Sequence, residues 1–217
     1  MPLLLETIQV KNRQLQHISY HNQRFNRSRK ELLGIEEEAD LAHLMRAYLH
    51  KNFKTAIAPH TALITIQHLN QNQVYKCRIL YDTQIRKVEF VPYTFKKINS
   101  LQSVHADDFS YSHKFADRSG LQSLLQKKGR ADEILILQNG LVTDTSYSNI
   151  AFFDGHEWFT PSKPLLGGTK RAALLEEKKI MEADISPKDL KNFEKLRLVN
   201  AMMDWEEGLE VTVDCIL

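Results

Sequence analysis

Chemistry is most concentrated between Glu133 and Arg171 of this chain, and its clearest piece is Gly167-Gly168-Thr169-Lys170, just ahead of a run that predicts a helix over Thr169 to Met181. Glycines permit a tight turn, so successive backbone N–H groups can converge on an anion. A helix N-terminus adds partial positive charge. The motif is a phosphate cradle by mechanism, and an ordinary loop is the alternative reading. A second anion feature is His21 and Arg24, spaced i, i+3, followed by Arg27, Arg29 and Lys30. Either this is a solvated basic face or one arginine turns inward and grips a phosphate with two parallel N–H donors. The third feature is Lys114, within Tyr111-Ser-His-Lys-Phe-Ala-Asp-Arg118. Burial and nearby cations lower a lysine pKa and free its amine for Schiff-base chemistry. A surface lysine is the plain alternative. Arg78 is a candidate cation for a substrate carboxylate, against an exposed strand arginine.

The elements that must position these residues come from hydrophobic period and turn chemistry. Leu3 to Val10 reads as a strand, turned by Asn12-Arg13 into a second over Gln14 to Ser19. Ser19 is the expected N-cap of a helix His21 to Leu33, which Gly34 stops. Glu36 to Asn52 has helical spacing. Thr61 to His68, Val74 to Tyr81 and Lys87 to Val91 read as strands. Residues 1–95 then form a small N-terminal α+β lobe, and the polar stretch 96–108, with a short strand near Ile98 to Val104, is the expected interlobe linker. A larger C-terminal α+β lobe takes 109–217. Its elements are a helix at Arg118 to Lys127, a strand at Glu133 to Leu137 with the hairpin signal Asn139-Gly140, a second hairpin around Asp154-Gly155, and strands at Leu196 to Asn200 and Leu209 to Val213. Strands and helices segregate, so the expected class is α+β.

Composition narrows the function classes. The chain has 217 residues, with 29 Lys plus Arg against 27 Asp plus Glu, a formal charge of 29 − 27 = +2. That is no broad nucleic-acid footprint. Pro2 to Leu5 is too short for a signal peptide, and no run reaches the roughly 20 apolar residues of a membrane helix. Cys77 and Cys215 lie far apart and belong to no metal-spaced cluster. The expectation is a cytoplasmic protein with free thiols, no metal, no membrane and no nucleic-acid partner.

Taken together, the motifs resemble the class IV aminotransferases, the pyridoxal-phosphate enzymes of fold type IV, over nearly the whole chain and in the family's order. The matching segments are Leu5-Glu6-Thr7-Ile8 with His21-x-x-Arg24-Phe25-x-x-Ser28, then Lys114, then Gly140-x-Val142-x-Asp144-x-x-x-x-Asn149-Ile150. Thr160-Pro161, Leu165-Leu166-Gly167-Gly168-Thr169-Lys170-Arg171 and Leu198-Val199-Asn200-Ala201-Met202 complete the set. The resemblance implies a two-lobed fold like that of D-amino-acid aminotransferase, with the small lobe shortened at its start, pyridoxal 5′-phosphate between the lobes, and a homodimer.

The resemblance also implies roles. Lys114 is the Schiff-base lysine and proton shuttle. Asp144 stands where the family has a glutamate that pairs with the pyridine nitrogen, which makes the ring an electron sink. Arg24, Thr169 and Lys170 hold the phosphate, the last two through backbone N–H. Asn149 and Asn200 are further cofactor contacts, and Arg118 reaches a cofactor hydroxyl or a substrate carboxylate. The chain departs from the pattern at Asp144, one methylene shorter than glutamate, at Gly167, where the family has proline, and at Thr169-Lys170, where it has isoleucine and threonine. Asp117-Arg118 and Asn200-Ala201-Met202 are similar to segments of 4-amino-4-deoxychorismate lyase, which releases p-aminobenzoate and pyruvate in folate biosynthesis. A small amino-bearing substrate is implied. The alternatives are a branched-chain or D-amino-acid type aminotransferase and a pyridoxal-phosphate binding protein with degenerate catalysis.

Overall fold

The computed structural model describes residues 1–52, 66–206, 208 and 210–217. The chain forms two compact units. The first is Met1–Phe95 with Lys114–Ala116, and the second is Lys96–His113 with Asp117–Leu217.

In the first unit, β1 (Leu4–Lys11), β2 (Gln14–Leu15), β3 (Tyr75–Tyr81) and β4 (Ile85–Pro92) make an antiparallel sheet of order β2-β1-β3-β4. Asn12 and Arg13, both at positive φ, turn β1 into β2 as expected of a two-residue hairpin. The helices are α1 (Ile18–Leu33) and α2 (Leu41–Asn52). The core is Leu4, Ile8 and Val10 from β1, Phe25 from α1, Leu41, Met45 and Leu49 from α2, and Cys77, Ile79 and Tyr81 from β3.

Two helix starts differ from expectation for physical reasons. Gln16 N–H donates to Gln9 O, which keeps the chain on the sheet until it must turn sharply. His17 supplies that turn at φ 52 and becomes the N-cap, so Ser19 falls inside the helix. Residues Glu36 to Ala39 are held outside α2 by α1. Asn26 bonds both the N–H and the C=O of Ala39, and Arg29 donates to Glu37 O. Asp40 then caps α2 by accepting from His43 N–H at 2.7 Å. Of the strand expected over Thr61 to His68, residues 61–65 lie outside the described residues, and Ile66 and Gln67 are helical.

In the second unit, β5 (Leu101–His105) runs parallel to β6 (Glu133–Gln138), joined through α3 (Ser119–Leu125). Residues 96–108 therefore hold a sheet strand of this unit. Asn139 (φ 49) and Gly140 (φ 78) turn β6 into β7 (Leu141–Thr145). The larger sheet has the order β10-β9-β8-β11-β12, with β8 (Asn149–Phe153), β9 (Trp158–Pro161), β10 (Met181–Ala183), β11 (Lys195–Val199) and β12 (Glu210–Thr212). α4 (Thr169–Glu176) buries Leu174 with Ala151, Ile180 and Val199. It ends five residues before the expected Met181, because Lys178 turns at φ 54 and Met181–Ala183 joins β9 in parallel.

Candidate functional site

The candidate residues of the first unit gather where β1 meets α1. Period 2 along β1 turns Leu4, Glu6, Ile8 and Val10 to one face, the core face. The buried stripe of α1 is His21, Arg24, Phe25, Ser28 and Arg29, at helical spacing. Glu6 and Arg24 thus occupy positions where apolar residues would ordinarily lie, and they neutralise each other. Arg24 Nε donates to Glu6 Oε1 at 2.9 Å and Nη2 to Oε2 at 2.7 Å. His21 Nδ1 lies 2.6 Å from the same Oε2. Burial alone would raise the Glu6 pKa, but the Arg24 charge and the hydrogen bonds from His21 and Arg24 outweigh it and hold the carboxyl at about 2. Glu6 is therefore ionised and accepts only, so His21 Nδ1 carries the proton. Burial lowers the His21 pKa despite Glu6, and the charges of Arg24 and Lys114 lower it further.

Lys114 belongs to this unit because its strand segment is stitched to β1. Leu5 N–H donates to Lys114 O at 2.9 Å and Ala116 N–H to Leu3 O at 2.8 Å. Lys114, His21, Arg24 and Glu6 are thus brought together. Arg78 is not among them. It lies on β3 directly opposite Glu89 of β4 and pairs with it at 3.2 Å on the sheet surface.

In the second unit, Asp144 is the centre. It is buried on β7, and Leu166 N–H donates to its Oδ2 at 2.9 Å. Asn149 Nδ2, at the start of β8, donates to its Oδ1 at 2.7 Å and to Leu166 O at 2.8 Å. Burial pushes the Asp144 carboxyl up to about 7, against the pull of Leu166 N–H, the Asn149 amide and the charge of Arg171. Asn149 Oδ1 sits 1.9 Å from where a Cβ on Gly168 would be. Only glycine leaves room for that amide.

Gly168 is the N-cap of α4 and makes no side-chain cap bond, and the helical ladder begins with Ala172 N–H to Gly168 O. The amide N–H groups of Thr169 and Lys170 therefore lie outside that ladder. Burial lowers the Lys170 pKa, while the charge of Asp204 opposes the shift. The turn after Asp144 is pinned from three directions. Arg118 Nη2 donates to Ser146 O at 2.7 Å, Glu133 Oε1 accepts from Ser146 N–H at 3.2 Å, and Asn200 Nδ2 donates to Ser148 Oγ at 2.7 Å. Asn200 Oδ1 also accepts from Met202 N–H.

Glu6, Glu133 and Arg171, which act on Arg24, the 145–148 turn and Asp144, were not among the candidates read from sequence. Glu6 had a detectable signal, a charge on the apolar face of an alternating strand. For the other two the partners, Ser146 and Glu182 with Pro161 O, are separated by loops that sequence does not fold. Among the described residues no group of three His, Cys, Asp or Glu could hold a metal ion, and no helix is long and apolar enough to cross a membrane.

One unit thus holds a carboxylate buried near the start of a helix, and the other a lysine stitched to the strand that carries Glu6. The amino-transferase class IV family matches residues 3–207, and the chain belongs to it. It is thus an enzyme dependent on pyridoxal phosphate. An uncharacterised Haemophilus influenzae protein is 36% identical over 199 residues, 92% of this chain and 97% of the relative. The structure of a candidate 4-amino-4-deoxychorismate lyase from Haemophilus somnus is 37% identical, covers 93% of this chain and 97% of that one, and superposes with a TM-score of 0.79. A hypothetical aminotransferase from Mycobacterium tuberculosis, in a PLP-bound form, shares the fold at 17% identity and a TM-score of 0.71, over 97% of this chain and 80% of that one.

The residues present fit that cofactor. The Asp144 carboxyl, raised to about 7 by burial, is suited to a protonated ring nitrogen, whose positive charge would offset the burial. The start of α4, preceded by Gly167 and Gly168, carries the partial positive charge of a helix N-terminus, which suits a phosphate.

Proposed function

We propose that the chain is a 4-amino-4-deoxychorismate lyase, releasing p-aminobenzoate and pyruvate. The observation that carries this reading is the likeness to the Haemophilus somnus structure, 37% identical across 93% of this chain and 97% of that one. A class IV aminotransferase must hold the carboxylates of two alternating substrates. Arg78, the candidate cation for that task, pairs with Glu89 at 3.2 Å on the sheet surface.

When bound, pyridoxal phosphate supplies an electron sink for the carbanion formed at the substrate. Lys114 would be the amine that tethers it and would carry a proton to and from the reacting carbon. Asp144 would hold a proton on the ring nitrogen, and Asn149 and Leu166 N–H keep its carboxyl in place. Arg24 would take the phosphate, and the backbone N–H groups of Thr169 and Lys170 are proposed as further phosphate donors. Arg118 and Asn200 act through the 145–148 turn, which they hold on Ser146 and Ser148. The product class makes folate synthesis the pathway, and a homodimer is the proposed assembly.

Purified protein incubated with 4-amino-4-deoxychorismate should yield p-aminobenzoate and pyruvate with no added 2-oxo acid. Turnover that requires an amino acid plus a 2-oxo acid would overturn the lyase in favour of the transferase. The protein should also show the visible absorbance of bound cofactor, and Lys114→Ala should abolish it. A protein that stays colourless with added cofactor would sink both readings.

A further inference from the structure

We infer that Glu6 is a positioning residue that sets the plane of the Arg24 guanidinium for the cofactor phosphate. The inference rests on the assignment of the phosphate to Arg24 made above.

Glu6 is fully buried on the core face of β1, and Arg24 is buried on the facing stripe of α1. Two parallel contacts, Nε to Oε1 at 2.9 Å and Nη2 to Oε2 at 2.7 Å, match one planar group to another. One such contact would leave the guanidinium free to swing. Two fix its plane and its distance from β1. The carboxylate is held in turn by His21, whose Nδ1 donates to Oε2 at 2.6 Å from the helix face shared with Arg24. The groups that set the arginine therefore stand on a strand and a helix, not on loops. The rotamer freedom of a long side chain is then lost on folding rather than on binding, which favours the ligand.

The contrast between Glu6 and Asp144 supports a division of labour. Both carboxyls are buried, yet Glu6 is held at about 2 by the cation it grips while Asp144 is pushed up to about 7. Glu6 is a permanent anion whose charge is already spent on Arg24 and His21. It is suited to orienting a cation and not to exchanging protons.

The test is titration of the cofactor-free protein with pyridoxal phosphate and, separately, with pyridoxal, followed by visible absorbance. The proteins compared are the wild type, Glu6→Gln, Arg24→Ala and the double variant. Glu6→Gln should weaken pyridoxal phosphate about 10- to 100-fold and leave pyridoxal within about 3-fold, the scale of a lost charge-assisted pair. The double variant should bind no more weakly than Arg24→Ala. If Arg24→Ala discriminates between the two compounds and Glu6→Gln does not, the positioning role of Glu6 is wrong. If Arg24→Ala itself fails to discriminate, the phosphate assignment is what fails. Should Glu6→Gln not fold, Glu6→Asp keeps the charge and shortens the fork by one methylene. Its preference for the phosphorylated compound must still fall, and an unchanged preference overturns the inference.

Discussion

Replacing Gly168 with alanine should damage the Asp144 site without any backbone strain. Gly168 sits at φ −73, ψ 140, a conformation alanine adopts freely. The new Cβ would lie 1.9 Å from Asn149 Oδ1 and 3.1 Å from its Cγ, so the Asn149 amide must move by more than an ångström. That amide is the donor that holds Asp144 Oδ1 and Leu166 O together. Overpacking costs about 1–3 kcal/mol and the lost bond to a carboxylate about 1.5–3 kcal/mol, so with partial relaxation the protein should lose about 2–4 kcal/mol. The Asn149 bond lowers the Asp144 pKa, so its loss should raise that pKa further. Urea unfolding measures the first quantity and carboxyl NMR titration the second. In an Asn149→Ala background the nearest remaining neighbour, Arg171 Cβ, lies 3.7 Å away at ordinary contact, and Gly168→Ala should then be close to neutral. Equal costs in the two backgrounds would refute the steric coupling.

The buried carboxyls make opposite predictions for pH. The Glu6 pKa falls from 4.5 to about 2 on folding, so it contributes about 3 kcal/mol above pH 4.5 that is lost as pH falls through 2. The lowered His21 pKa acts in the same direction from pH 6.5 downward, and unfolding of wild type and Glu6→Gln across this range should converge in acid. The Asp144 pKa rises from 3.8 to about 7, so stability is full below 3.8 and about 4 kcal/mol is lost as pH rises through 7. Cofactor-free Asp144→Asn should therefore be more stable than wild type at pH 8, and a variant no more stable there would contradict the burial cost. With cofactor loaded, the same variant should slow proton abstraction far more than it weakens cofactor binding, as stopped-flow absorbance and equilibrium titration would record.

Much of the fold was legible because its signals are local. Alternation located β1 and β3, the residue pairs Asn12-Arg13 and Asn139-Gly140 located two turns that the structure holds at positive φ, and Gly34 ended α1 at φ 67. The misplaced ends share a cause. Ser19 lost the cap to His17, α2 began late at Leu41, and α4 stopped at Glu176 because partners elsewhere in the chain claimed those segments. A hydrogen bond to Gln9, a clamp by Asn26 and Arg29, and a parallel pairing with β9 have no expression in nearby residues.

The site divides the same way. Sequence alone determined the residue types and their order: a glycine turn before a helix, a lysine among polar and aromatic neighbours, an arginine on a helix, and the family pattern that singled out Asp144. Tertiary structure decided what each group is bonded to, and so what it can do. It buried Glu6 against Arg24 and His21, which lie 18 and 15 residues away. It paired Arg78 with Glu89 and turned Arg118 onto the Ser146 carbonyl. It also placed an asparagine amide where a Cβ of residue 168 would lie. The physical reason is that charge and pKa depend on desolvation and on atoms a few ångströms away. Those distances are set by packing between segments remote in sequence.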